Sequence, residues 1–379
     1  MRKNIITGVS LVALSAGMAQ AGGFELQTLD TSMMYADGNQ ASISYANIDA
    51  SIEGYNTRFG SVSNKKVVKD QTVTNLNAKF DVGDNFAFGL STYRSGSVQL
   101  SGGNGDPAAA GNLTPIADIK LETTALLVSY KLNDNMSLIG GMTNNSLQDS
   151  SVKTLAGAYE IPGATEQGYI VGAAYSMPEI ALRAEVMYQP KTELKTKAKF
   201  TSAQYSNPAA QSSVSLPDTY AVSFQTGIAA DTLLMATYRK SNWSKAQITS
   251  NVAAPALVQG NPALAATNIK TAFEDTESYS IGLGRKFSDK LSASITYSKE
   301  EGSSTPATSL FTVSNGSEAI SVGMQYTLDN MTISGGISRR NVGDVTVDPF
   351  PAGHPSAGQT MKYAGNTVTS VGVKIAFSF

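Results

Sequence analysis

Val371-Gly-Val-Lys-Ile-Ala-Phe-Ser-Phe379 closes the chain, and its alternation decides the fold. Val371, Val373, Ile375, Phe377 and Phe379 are apolar, while Gly372, Lys374, Ala376 and Ser378 between them are small or charged. Period two belongs to a strand with one apolar face and one wetter face. A last strand of this kind, running to a terminal aromatic residue, is how outer-membrane β-barrels usually close. Through it Phe379 is expected to engage the barrel assembly machinery. A soluble sandwich also ends on an alternating strand, so the front of the chain has to choose between the two.

The front reads as an export signal. Arg2 and Lys3 make a positive start, Ile5 to Ala16 a short apolar run, and Ala19-Gln20-Ala21 a small-x-small cleavage site. The apolar run is shorter than the roughly 20 residues a spanning helix needs. Residues 1–21 are therefore assigned to a signal peptide, and the mature chain to a start at Gly22. No later stretch reads as a transmembrane helix.

Composition points the same way. Among 379 residues, 15% are charged, the net charge is −2, and 34 are glycine. A low charge with modest hydrophobicity suits a barrel with lipid outside and a polar lumen. With no basic excess, nucleic acid is not an expected partner. With no cysteine, neither disulfides nor thiolate chemistry are available. The single histidine, His354, lies between prolines in Pro349-Phe-Pro-Ala-Gly-His-Pro355, so neither a catalytic site nor a metal site is expected. Gly282-x-Gly284 has no helix pattern behind it and reads as strand glycine, not as a phosphate loop. No cofactor is implied.

Alternating segments of about ten residues recur along the chain, as a transmembrane barrel requires. They run over Ala41–Glu53, Val73–Val82, Phe86–Leu100, Ile119–Leu132, Met136–Lys153, Gln167–Ser176, Ile180–Lys199, Asp218–Ile228, Thr232–Thr249, Thr276–Phe287, Leu291–Glu300, Ser317–Leu328, Met331–Asn341 and Asn366–Phe379. The expected fold is all-β: a transmembrane antiparallel barrel of about 14 strands, residues 41–379, with residues 22–40 ahead of it. Tight Asn/Asp/Gly turns alternate with longer loops at Tyr55–Thr72, Ser101–Asp118, Phe200–Pro217, Ser250–Asp275, Glu301–Gly316 and Val342–Gly365, with a shorter one at Thr154–Glu166. Tyr130, Tyr175, Tyr188, Tyr238, Phe287, Tyr297 and Tyr326 fall near strand ends, where aromatic girdles sit.

Laid out this way, the chain resembles the FadL/TodX family of outer-membrane channels for hydrophobic compounds. Gly22-Gly-Phe-Glu-Leu-Gln27 is similar to that family's mature start. Ser215-Leu-Pro-Asp-Thr-Tyr-Ala-Val-Ser-Phe224 is similar to its Leu-Pro-acid strand entry. Tyr238, Asn242-Trp243-Ser244 and the run Phe273 to Gly284 are similar to its strand pair with a lone tryptophan. The resemblance covers most of the second half and the first mature residues. It implies a barrel plugged by an N-terminal hatch, and passive uptake of long-chain fatty acids or other apolar molecules. It also implies exit sideways at a kinked third strand or past a shifted hatch. The chain departs from the family at that hatch, which is short here and lacks an Asn-Pro-Ala motif. Asn207-Pro208-Ala209 and Asn261-Pro262-Ala263 occur only in expected external loops.

Strand parity turns Arg183, Arg239 and Lys374 into the lumen, where a ligand carboxylate would need a cation. Pairing with lumen acids such as Glu185 and Glu122 is the competing use. Phe24, Leu26, Leu29, Met33, Met34 and Tyr35 form an apolar run too irregular for a strand. They suit an adaptable pocket for a ligand tail, or simple packing against the wall. The expected role is passive uptake of hydrophobic small molecules, most of all long-chain fatty acids, across the outer membrane. The expected surroundings are outer-membrane lipid and lipopolysaccharide. A polar-solute porin and a structural or adhesive surface barrel are the alternatives.

Overall fold

The computed structural model describes residues 18–21, 24–56, 63–64, 66–103, 113–154, 157–202, 206–251, 270–350, 352 and 357–379. The chain folds into a closed antiparallel barrel of 14 strands. They are β1 (Gln40–Ser51), β2 (Gln71–Val82), β3 (Phe86–Ser101), β4 (Ile116–Lys131), β5 (Met136–Leu147), β6 (Ala164–Met177) and β7 (Leu182–Gln189). The ring continues through β8 (Asp218–Ala229), β9 (Thr232–Asn242), β10 (Thr276–Lys286), β11 (Leu291–Glu300), β12 (Ser317–Leu328), β13 (Met331–Val342) and β14 (Asn366–Ser378). Each strand pairs with the next, and β14 returns to β1 with Val371 opposite Asn47.

Turn chemistry explains the short connections. Gly83, Asp231 and Asp329 have positive φ, the conformation tight hairpins demand. Asn133 Oδ1 accepts the N–H groups of Asn135 (3.0 Å) and Met136 (2.9 Å), closing the β4–β5 turn through a side chain. All tight turns lie at one rim, and the longer connections lie at the other.

Alternation sorts the two faces. Leu126, Met142, Ile320, Val322, Met324, Val371 and Phe377 point outward and are exposed. Around so large a barrel this makes an apolar band far beyond a soluble monomer's usual patch. Aromatic pairs bound the band. Phe86–Tyr130 (4.8 Å) and Phe80–Phe379 (5.9 Å) lie at the short-turn rim. Tyr188–Tyr220 (4.7 Å) and Tyr238–Tyr279 (5.2 Å) lie toward the long-loop rim. The inward positions are buried and largely polar, including Ser91, Thr123, Asn145, Glu185, Arg239, Ser338 and Arg340. Hydrogen bonds satisfy them across neighbouring strands, as in Thr123 Oγ1 to Asn145 Oδ1 (2.7 Å) and Ser321 to Ser338 (3.1 Å).

Several expected segments differ: Met136–Lys153 divides into Met136–Leu147 and Ser150–Thr154, and the strand expected over Thr232–Thr249 ends at Asn242. Phe200–Pro217, expected as a loop, is mostly the strand Ser206–Leu216, paired with Thr192–Thr201. The Thr154–Glu166 connection holds another strand, Gly157–Ile161. Ile180–Lys199 is two strands, because Pro190 interrupts the ladder after β7. Ser150–Thr154, Gly157–Ile161, Thr192–Thr201 and Ser206–Leu216 pair in that order and extend the wall from the upper end of β4. Glu122, expected in the lumen, is exposed on the outward face in phase with Leu126 and Val128. His354 and Asn261-Pro262-Ala263 lie outside the described residues.

One contiguous apolar cluster fills the long-loop end. It includes Trp243, Phe273, Phe311, Val347, Met361 and Tyr363, and it reaches down to Ile48, Val73, Val98 and Leu26. A second, separate cluster lies lower. There Met33 and Met34 pack on Ala87, Ala125, Leu127, Ile139 and Ile170 of the inner wall.

Candidate functional site

The N-terminal segment runs inside the barrel and is held from several strands. Phe24–Gln27 is extended, and Glu25 and Leu26 pair with Ser97 and Gly96 of β3. Of Phe24, only the backbone is described. Ser32–Tyr35 forms one turn of 3₁₀ helix. The Thr31 hydroxyl before it donates to buried Glu185 of β7 at 2.6 Å instead of capping the turn. Leu29 and Tyr35 flank the Met33–Met34 cluster, whereas Leu26 belongs to the upper one. The apolar residues read together in the sequence are thus divided between two levels of the lumen.

The cations expected to meet a ligand meet this segment. The Arg183 guanidinium lies 4.2 Å above the Tyr35 ring and donates to Gln225 Oε1 (3.0 Å). Arg239 reaches Thr28 Oγ1 at 3.4 Å. Lys374 stands 3.8 Å from Asp30. Lys79, buried on β2, donates to the carbonyls of Ala36 and Gly38 (3.1 Å for Gly38) and fastens the segment's exit. Parity reveals that Arg183, Arg239 and Lys374 point inward. It cannot reveal their partners, because the irregular Thr28–Asn39 path carries no period. Glu185 is inward, as parity places it; Lys79 and Gly89, which the sequence did not single out, also lie at inward positions of their strands.

Asp30 gives this anchoring a pH dependence. Enclosure raises its carboxyl's proton affinity, but Lys374, the Ser32 hydrogen bonds and Arg183 outweigh that and hold the pKa below the ordinary 3.8. A depressed carboxylate pKa stabilises the folded contact fully above the ordinary value and loses it as pH falls through the folded value. Amide exchange in Thr31–Ala36, taken relative to the intrinsic rate at each pH, is therefore expected to quicken as pH drops below 3.8. Asp30→Asn should quicken it at neutral pH by up to about fivefold, the scale of a solvated ion pair. Equal protection in Asp30→Asn and wild type at pH 7 would remove Lys374 as an anchor.

The wall itself is interrupted beside this segment. β2 and β3 pair from Val82–Phe86 up to Leu76–Thr92 and then part. They rejoin above, where Lys69 N–H donates to Gln99 O (3.0 Å) and Val68 faces Leu100. Between these points no backbone bond joins Asp70–Asn75 to Tyr93–Val98 among the described residues. β2 stays on β1, while β3 bends inward with an extra residue, Ser95, between Arg94–Glu122 and Gly96–Leu121. Above this extra residue the phase of β3 reverses, so Val98 and Leu100 stand opposite inward Ile119 and Ala117 of β4 and are fully buried. The N-terminal strand takes up the freed edge of β3. Arg94 Nη1 crosses the break to Thr72 O (3.0 Å), and Ser97 Oγ to Gln71 Oε1 (3.2 Å).

The fold is that of the FadL and TodX channels. A Pseudomonas aeruginosa FadL homologue superposes with a TM-score of 0.71 at 15% identity, covering 92% of this chain and 92% of that one. The P. putida toluene transporter TodX gives 0.64 at 12% identity over 91% of each chain. The Ralstonia pickettii toluene transporter TbuX gives 0.63 at 13% identity over 91% of this chain and 90% of its own. No family model matches the sequence, and no curated protein matches it either. At these identities the backbone architecture is shared while individual side chains are not, so the comparison fixes the frame alone. At the long-loop end of that frame a cavity of about 240 Å³ opens, lined by Phe273, Asp275, Glu301, Ser314, Asp344 and Val345.

Proposed function

We propose that the chain is an outer-membrane channel for passive uptake of hydrophobic small molecules, with residues 22–40 as its hatch. The break between β2 and β3 is the observation that carries this reading. Its inner edge belongs to an apolar cluster that is continuous, through Leu26, Val73 and Val98, with the long-loop end. A solute moving along that cluster reaches a side opening, while the N-terminal segment and its anchors occupy the axial route. The short-turn rim then faces the periplasm and the long loops face outside. The structural neighbours that transport toluene support an apolar cargo.

Long-chain fatty acids are the favoured cargo. Arg183, Arg239 and Lys374 are the groups to receive the carboxylate. It would compete for them with Tyr35, Thr28 and Asp30, so cargo binding and hatch release are linked through the same cations. Leu29, Met33 and Met34 would receive the tail as the hatch shifts, with Phe24 and Leu26 at the upper level. Each buried methylene is worth roughly 0.8 kcal/mol, so chain length sets affinity. Signal-peptide cleavage after Ala21 would remove the strand Met18–Ala21 that pairs with Phe24–Gln27, leaving the hatch strand held by β3 alone.

Proteoliposomes carrying the intact chain should take up labelled palmitate faster than empty vesicles while passing little ionic current. Large, steady currents through the intact chain would reject a plugged transporter and favour a polar-solute porin. Arg94→Ala, which removes the bar across the break, should raise apolar uptake a few-fold with ion conductance unchanged, as loss of one exposed charged hydrogen bond allows. Unchanged uptake in Arg94→Ala would separate the break from the transport route.

A further inference from the structure

We propose that the outward face of the wall extension above β7 is a docking surface for the phosphorylated headgroups of outer-leaflet glycolipid, with Lys195, Lys197 and Lys199 as its contacts. The strand Thr192–Thr201 alternates strictly. Leu194, Ala198 and Phe200 are buried, while Lys195, Lys197 and Lys199 are exposed.

The register fixes which way they point. Residues directly opposite each other on paired strands share a face. Asp118 of β4 faces Ser151, Ser151 faces Glu160, and Glu160 faces Lys199. Asp118 is in phase with Glu122, Leu126 and Val128 on the outward side of β4. The lysines therefore continue the lipid-facing side of the barrel and turn away from the solute path. They begin past Pro190, above the Tyr188–Tyr220 pair that marks the upper edge of the apolar band. In a membrane that level is occupied by headgroups.

Charge selects the occupant. None of the three lysines has a carboxylate partner or a hydrogen bond among the described residues, whereas Lys191, Lys240 and Lys299 on the same outward surface are paired with acids. Alternate residues on one side of a strand stand about 7 Å apart, so three ammonium groups line up in a row along one edge of that face. Lysine is a strongly hydrated point charge and suits phosphate without requiring one orientation. The surface commits to a lipid-borne phosphate, because it lies on the membrane side of the wall and shares its face with the lipid band. The inference rests on the outer-membrane reading, but it is tested on purified barrel without any uptake assay, so either can fail alone.

The test uses the full chain refolded free of lipid in detergent, with rough lipopolysaccharide carrying a phosphorylated inner core as the probe. Binding is measured by microscale thermophoresis at low salt. Lys195→Gln, Lys197→Gln and Lys199→Gln combined should weaken it on the order of 100-fold, as three lysines near a charged headgroup would. Wild-type affinity should fall steeply with added salt. Enzymatically dephosphorylated lipopolysaccharide should bind wild type as weakly as the intact lipid binds the triple variant. Lys240→Gln with Lys299→Gln, a two-lysine control on the same rim, should keep most of the affinity. Heat-modifiable migration confirms that each variant is folded. Equal binding by wild type and triple variant, equal binding of the two lipid forms, or no binding by wild type overturns the proposal.

Discussion

Deleting residues 22–39, with 1–21 retained for export, yields a folded barrel that conducts ions and no longer retains a hydrophobic ligand. The expectation follows from where the contacts lie. Hydrogen bonds between wall strands close the ring without help from the segment. The segment contributes Met33 and Met34 to the lower cluster, each nearly fully buried and worth about 2 kcal/mol of apolar burial. It also covers Glu185, Arg183, Arg239 and Lys374, which return to water when it leaves. Water and ions then enter the axial route, and the floor beneath the tail disappears. Bilayer conductance and retention of labelled fatty acid in detergent check both halves. A deletion protein that holds fatty acid as tightly as the intact chain would place the ligand on the barrel wall and not against the hatch.

Gly89→Leu is expected to produce nearly the same phenotype from the wall side. Gly89 faces inward on β3 directly beneath the 3₁₀ turn. A Cβ there would stand 2.5 Å from Met34 Sδ and 3.3 Å from both Met33 Cε and Leu127 Cβ. Alanine is tolerable, because the flexible end of Met34 gives way. A leucine needs the volume that Met34 fills, and overpacking of that kind costs about 1–3 kcal/mol. The wall keeps its hydrogen bonds, so the strain is relieved by expelling the segment. Raised conductance with intact heat-modifiable migration is the predicted pair of readings. Gly89→Ala with near-normal conductance serves as the graded control. A leucine variant that remains closed would mean that the polar anchors alone hold the segment.

Leu291–Glu300 and Ser317–Leu328 are strands with the bounds that alternation gives them, because lipid on one side and a polar lumen on the other force period two on every residue. Ser206–Leu216 escaped that reading. It lies above the apolar band, where exposed positions such as Gln211 need not be apolar, and Ser, Ala and Pro then look like loop. Past Pro190 the outward phase changes from Val186 and Tyr188 to Lys195 and Lys197, a switch that a single continuous strand cannot make. For the site, parity sent Arg183, Arg239 and Lys374 inward; Glu122, expected among the lumen acids, keeps the outward phase of Leu126 and Val128, and parity was silent on Thr31, Tyr35 and Asp30. Those partners sit on a path set by packing and hydrogen bonds, with no repeat for a sequence pattern to reveal.

The break between β2 and β3 has equal arms. From Leu76–Thr92 to Val68–Leu100 each strand advances by the same eight residues, so the ladder resumes in the register it left. The extra residue at Ser95 is absorbed against β4, on the other edge of β3. The interruption is thus a bubble in a zipper whose teeth remain aligned. Strands out of step would have to slide and turn their side chains to the opposite face before meeting. Here the pairing is in step on both sides of the gap, with Glu25 and Leu26 occupying the edge of β3 between them. Under the proposed uptake reading, drawing the N-terminal strand off β3 would leave that edge free for β2, so side opening and plug would act as one part.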